Sequence, residues 1–160
     1  MIANHGQSKR YYHDMVGCNS RLDTIQAAVL GVKLKKLDEY IDARRKVAYF
    51  YDLAFANQPK LSIPIRSPYT KHVFHQYTLL VEGADRDGLH QFLASSNIPS
   101  MIYYPVPAHR QQMFAAFGGS SYQLPVTDWL TERVISLPIH TEMDNEQLTL
   151  IASKVLAYIQ

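Results

Sequence analysis

Apolar residues at Leu22, Ile25, Val29, Val32, Leu37, Ile41, Val47, Phe50 or Tyr51, and Leu53 recur close to helical spacing. They predict one helix from Ser20 to about residue 56, longer than the roughly 8 to 20 residues of an ordinary globular helix and suited to bridging two bodies. Ser20 followed by Asp23 has the spacing of a capping box for its first turn. Pro59, Pro64 and Pro68 end the helix, because proline has no N–H to give and pushes the residue before it out of the helical region. Residues 1–19 show neither a helical nor a strand period and read as a loop.

Beyond the prolines the pattern shortens. "FHQYTLLVE" (74–82) has the bulky and β-branched residues of a strand, with Gly83 as its stop. "DRDGLHQFLASSN" predicts a helix capped by Asp85, with Leu89, Phe92 and Leu93 on its buried face. "PSMIYY" reads as a second strand, closed by Pro105 and Pro107. A short helix around His109 to Phe117, a Gly-Gly-Ser-Ser loop and a helical "PVTDWLTERV" lead to a third strand in "VISLP". Asp144 and Gln147 then cap a terminal helix carrying Leu148, Ile151, Val155 and Ile159. The fold class expected is α+β: about three antiparallel-type strands with helices on one face, and a division of the chain into residues 1–57 and 58–160.

Composition narrows the function classes. A chain of 160 residues with 47% hydrophobic and 19% charged positions can bury a real core. The net charge is +2, and its densest clusters, "KLKK" and "ARRK", fall on the long helix as a solvated face rather than a nucleic-acid stripe. One cysteine, Cys18, allows no internal disulfide and points to a reducing compartment, the cytoplasm. No apolar run is long enough to span a membrane, and "MIANHGQSKRYYHD" is too polar for a secretory signal.

Four places are candidates for chemistry. Asn19, Ser20 and Arg21 sit at a helix start, where free N–H groups and the positive dipole end favour a phosphate or carboxylate; the spacing alone favours a plain N-cap with a surface arginine. Tyr103 and Tyr104 stand at the end of the second strand, before prolines that fix the next loop, a usual place for ligand-facing groups and also for ordinary aromatic packing. Cys18 has no evident base partner and reads as a small buried residue. His72 and His75 are three apart without an acidic partner at helical spacing, HExxH is absent, and no metal is expected. There is no Walker loop and no GxGxxG.

"NHGQSKRYYHDMVGCNSRLDTIQAAVL" resembles the "NHG … G.N.R(L/M)D..QAA.L" segment of the DegT/DnrJ/EryC1/StrS family, pyridoxal-phosphate-dependent nucleotide-sugar aminotransferases. "RRKVAYFYD", "HVFHQYTL", "IPSMIYYPVPAH" and "VISLPIHTEMDNEQ" are similar to later blocks of that family in the same order. The resemblance implies an aspartate-aminotransferase-like fold (pyridoxal-phosphate fold type I). Residues 1–57 would then be the end of the large domain and a long linking helix, and residues 58–160 the C-terminal small domain. It implies a homodimer, and transfer of an amino group from an amino acid, typically glutamate, to a nucleotide-linked keto sugar for amino-sugar and surface-polysaccharide synthesis. Within that scheme Asn19 matches the asparagine that reaches the cofactor phosphate in the neighbouring subunit. Arg21 matches an arginine near the donor carboxylate or the sugar nucleotide, and Tyr103 and Tyr104 match the pair facing the sugar. "IPSMIYYPVP" resembles the branch acting at C3 of an N-acetylated uronate sugar.

Members of that family run to more than twice this length, and the Schiff-base lysine lies before "NHG". The start therefore reads as a family protein cut inside its large domain, by itself inactive, with the apolar face of the long helix left exposed to favour self-association. Two further readings stay open: a small domain retained as an interaction module, and a dehydratase of the same family in which histidine replaces the lysine.

Overall fold

A computed structural model describes residues 3–9, 11–20 and 22–160. Two compact units divide the chain, Met1–Glu39 and Tyr40–Gln160.

In the first unit a small antiparallel hairpin, β1 (Gln7–Lys9) and β2 (Tyr12–His13), occupies the stretch expected to be loop. Strands this short leave no alternation to read. The segment doubles back on itself: Asn4 bridges Asn19, the His5 N–H donates to the Cys18 carbonyl at 3.0 Å, and the Ser20 N–H donates to the Ala3 carbonyl at 3.0 Å. Gly6 permits the close approach, since its φ is +70° and a Cβ there would lie 1.8 Å from the Met15 carbonyl oxygen. Cys18 is exposed rather than buried.

The single helix expected over residues 20–56 is two. α1 (Thr24–Leu34) is capped by Asp23, not Ser20: the Asp23 carboxylate accepts from the Gln26 N–H at 2.8 Å. α2 (Leu37–Phe55) starts afresh after a turn in which the Lys36 N–H donates to the Lys33 carbonyl at 2.9 Å. Asp38 and Glu39 suit the positive end of a new helix. α1 buries none of its residues; Ile25, Val29 and Val32 are all exposed. No helix among the described residues is long and apolar enough to cross a membrane.

In the second unit β3 (Leu61–Ser62), β4 (Tyr77–Val81) and β5 (Val134–Leu137) form a three-stranded antiparallel sheet in that order. Tyr77, Leu79 and Val81 alternate onto one face, opposite Leu137, Ile135 and Leu61, and all are buried. α2 covers that face with Val47, Ala48, Tyr51 and Phe55. α3 (Arg86–Ser95) adds Leu89 and Leu93, and α5 (Asn145–Ile159) adds Leu148, Ile151, Val155 and Ile159. The caps are those expected: Asp85 accepts from the Asp87 N–H, and Asp144 with Gln147 forms a full capping box.

The segment 99–104, expected as a strand, is not one. It contributes only Met101, which exchanges both backbone hydrogen bonds with Ser136 at 3.0 and 2.7 Å. Pro99, Pro105 and Pro107 lack the N–H groups a longer ladder would use, and the third strand is supplied by Leu61–Ser62. The stretch expected as a short helix is a set of 3-10 turns (Ala108–Arg110, Gln112–Phe117, Gly119–Ser121) leading to α4 (Pro125–Thr131).

Two phenols sit in this core, their ring centroids 5.0 Å apart. The Tyr51 hydroxyl donates to the Pro138 carbonyl at 2.9 Å and the Tyr77 hydroxyl to Asp52 at 2.8 Å. Burial pushes both phenols well above the ordinary tyrosine value, and at Tyr77 the Asp52 carboxylate pushes further. Between the unfolded and the raised folded value, the unfolded chain has lost protons that the folded chain keeps. Stability should therefore be complete below pH of about 10 and fall as pH climbs above it. Urea midpoints across that range should fall less steeply for Tyr51→Phe than for the wild type; parallel slopes would contradict the assignment.

Candidate functional site

Arg44, on α2, lies among residues that read as a solvated basic face, yet its side chain turns inward. Nη1 lies 3.3 Å from the Phe74 carbonyl oxygen, 3.2 Å from that of His75 and 3.1 Å from that of Ile139. A charged donor aimed at several carbonyls ties residues 74–75 to the segment after β5. Phe74, buried with φ at +48°, is the bend of this loop. Its N–H donates to His72 Nδ1 at 3.0 Å, and the Arg66 guanidinium lies 3.9 Å from its ring centroid. Arg66 also grips Asp52 through Nε at 2.8 Å and through Nη2, the same carboxylate that holds Tyr77.

This bracing presents His75 and Gln76 at the mouth of a small cleft of about 200 Å³, with Met101, Tyr103, Pro138 and Ile139 among its walls. Tyr103 also lines a second cleft of about 460 Å³. There it is joined by Tyr104, Val106, Pro107 and Gln111 on one side and by Thr127, Leu130 and Thr131 of α4 on the other. Neither tyrosine is core: Tyr103 is 40% exposed and Tyr104 74%, with their rings edge-on and centroids 6.1 Å apart. A mostly apolar cleft with phenol, amide and hydroxyl groups at its edges suits a ligand with a ring face and polar substituents.

Tyr103 and Tyr104 thus meet at one cleft. Asn19 belongs to the first unit, where its backbone is fixed by the bridge to Asn4 and its side chain is exposed. Arg21 lies outside the described residues. No group of three or more His, Cys, Asp or Glu that could hold a metal occurs among the described residues, and His72 Nδ1 serves the turn at Phe74 instead. Sequence reasoning missed Arg44 and Gln76, and weighed His75 only as a metal ligand. Arginine inside an otherwise helical basic run gives no sign of facing inward, although "HQ" just before a strand places polar groups at a sheet end, where such a site can form.

The family model described as the DegT/DnrJ/EryC1/StrS aminotransferase family matches residues 1–156. Among curated proteins, a pleiotropic regulatory protein of Geobacillus stearothermophilus is 38% identical over 99% of this chain and 42% of its own length. The UDP-N-acetyl-3-dehydro-alpha-D-glucosamine 3-aminotransferase of Acidithiobacillus ferrooxidans is 38% identical over 96% of this chain and 40% of its own. Among solved structures, S. venezuelae DesV in complex with ketimine intermediate superposes with a TM-score of 0.88 at 32% identity, covering 100% of this chain and 43% of DesV. The chain spans about two fifths of the length of the curated relatives it matches, and corresponds to their C-terminal portion.

Replacing Arg44 by methionine keeps the stem of the side chain and removes the donor. The three carbonyls it faces lose that partner, at a cost of roughly 1–3 kcal/mol. Urea unfolding should register that loss, and limited proteolysis should cut faster within residues 72–76; unchanged cleavage there would contradict the bracing role.

Proposed function

The chain belongs to the DegT/DnrJ/EryC1/StrS aminotransferase family, and from that premise we propose that the polypeptide carrying it moves an amino group from an amino acid, glutamate being the typical donor, to the keto carbon of a nucleotide-linked sugar. The observation that carries this reading is the cleft framed by Tyr103 and Tyr104 in the segment aligned with sugar aminotransferases. An aromatic pair at a mostly apolar cleft can pack on a pyranose ring while its hydroxyls meet the sugar's own. The enzyme named for Acidithiobacillus acts on a UDP-linked 3-keto sugar, and a relative from Aneurinibacillus thermoaerophilus is named as a dTDP-linked amino-sugar transaminase. UDP-N-acetyl-3-dehydro-alpha-D-glucosamine is the substrate to assay first.

The cofactor of this reading is pyridoxal 5'-phosphate, which supplies an electron sink for the carbon that gives up its proton. Among the described residues, Asn19 is the group of this reading that suits its phosphate end. The exposed Asn19 side chain offers an amide N–H to a phosphate oxygen in the neighbouring subunit's site. No lysine lines the clefts at Tyr103. Lys60 donates to the carbonyls of Ile159 and Gln160, and Lys36 pairs with Glu39. By the family resemblance, the lysine that would hold the cofactor covalently lies elsewhere in the polypeptide. Arg21, two residues from Asn19, would meet the donor carboxylate or the sugar diphosphate, either of which a planar guanidinium binds bidentately. Tyr103 and Tyr104 orient the sugar, and the apolar walls from Val106 to Leu130 keep water from its keto carbon. Homodimerisation, a role in polysaccharide synthesis and a cytoplasmic location complete the proposal; the exposed, unpaired Cys18 fits a reducing compartment.

Tyr103→Ala in the intact polypeptide should raise KM for the UDP-linked keto sugar by roughly tenfold while leaving that for glutamate within about twofold. Steady-state kinetics with each substrate varied in turn checks this, and equal effects on both would remove the sugar-facing role.

A further inference from the structure

We infer that Asp128 is a positioning residue that holds the two walls of the tyrosine cleft at a fixed separation for the nucleotide-linked sugar. The ligand half of this inference rests on the function proposed above. One wall of the cleft is the segment from Tyr103 to Gln111, and the other is α4 with the start of β5. The backbone bonds of the first wall, from the Arg110 N–H to the Pro107 carbonyl and from the Gln111 N–H to the Ala108 carbonyl, close local turns and do not reach α4. Asp128 does reach across. Its Oδ2 accepts from Arg110 Nη2 at 2.6 Å, and its Oδ1 lies 3.4 Å from His109 Nε2.

The two contacts differ in environment. The Arg110 side chain is 58% exposed, whereas that of His109 is 7% exposed. His109 Nε2 and Asp128 Oδ1 are both sealed from solvent and face each other at 3.4 Å, without a hydrogen bond to each other or to another described residue. The hydrogen bond that ties the walls is the one from Arg110, and the buried His109–Asp128 approach adds close packing beside it. His109 has little room to move away: a Cβ on Gly119 would lie 2.7 Å from the His109 carbonyl oxygen, so the following turn is packed hard against it. Asp128, His109 and Arg110 stand immediately beside Thr127, Ala108 and Gln111, which line the cleft. The clamp lies one residue behind the lining on both sides and acts on a ligand only through it.

The test compares the intact wild-type polypeptide with Asp128→Asn, which keeps the side-chain shape, and with Arg110→Gln, which leaves the buried His109 contact in place. Amide exchange within residues 105–111 and 125–131 should be roughly tenfold faster in Asp128→Asn, with α5 unchanged. In the same variant KM for UDP-N-acetyl-3-dehydro-alpha-D-glucosamine should rise about tenfold, while kcat and KM for glutamate stay within about twofold. Arg110→Gln should shift the sugar KM in the same direction by about threefold, and it decides the matter if Asp128→Asn also loses protection in α5. Unchanged exchange in both segments would overturn the clamp. An equal rise in both KM values, or a fall in kcat alone, would overturn the positioning role. A wild-type polypeptide that aminates no nucleotide-linked keto sugar would overturn the proposed function and the sugar role with it, while the exchange result would still decide the clamp.

Discussion

Two tyrosine hydroxyls have to be accommodated inside the core where α2 meets β4, and much of the second unit follows from how that is done. The rings of Tyr51 and Tyr77 supply the apolar bulk between helix and sheet, but each carries a donor that is costly to bury without a partner. Tyr51 finds the Pro138 carbonyl just after β5, and Tyr77 finds Asp52 on α2. Asp52, itself largely shielded, is balanced by Arg66, whose guanidinium then lies against Phe74. Arg44, two turns earlier on the same helix, faces the carbonyls of the same loop and of Ile139. A packing requirement in the core thereby fixes residues 72–76 and 138–139, of which His75, Gln76, Pro138 and Ile139 line the smaller cleft.

The clefts inherit their shape from that bracing on one side and from Asp128 on the other. Tyr103 stands where the two clefts meet, held by the single Met101–Ser136 bridge to the edge of β5 rather than by a full strand. Substrate contacts on such a segment rest on a rigid sheet while the segment itself is free of the ladder's strict alternation, so neighbouring side chains can both reach the cleft. In the proposed division of labour the second unit reads the sugar and the first unit lends Asn19 to a cofactor site completed by another subunit.

Much of the fold was legible in local chemistry. β4 and β5, and the caps at Asp85 and Asp144, depend on residues within a few positions of one another, and the sequence pattern located them. The break between α1 and α2 was not legible in the spacing, because the longer step from Ile41 to Val47 lies inside the unbroken α2. Long-range pairings were not legible. Arg44 meets Ile139 across 95 positions and Asp128 meets Arg110 across 18, and neither leaves a period along the chain. The segment 99–104 carries β-formers, but Pro99 and the flanking Pro105 and Pro107 remove N–H groups that a longer ladder would use. Of the candidate site, the residue types at Asn19, Tyr103 and Tyr104 were visible, whereas their roles came from the family resemblance and not from spacing.

The account turns on a site shared between subunits, and mixing two defective polypeptides tests that most directly. One would carry Asn19→Ala and the other would lack the Schiff-base lysine, each being inactive or nearly so on its own. If Asn19 serves the neighbouring subunit, exchanged dimers contain one site with both defects and one with neither, and the mixture should recover roughly a quarter of wild-type aminotransfer. No recovery on mixing, with subunit exchange verified, would place Asn19 in its own subunit's site or outside any site, and would contradict the account.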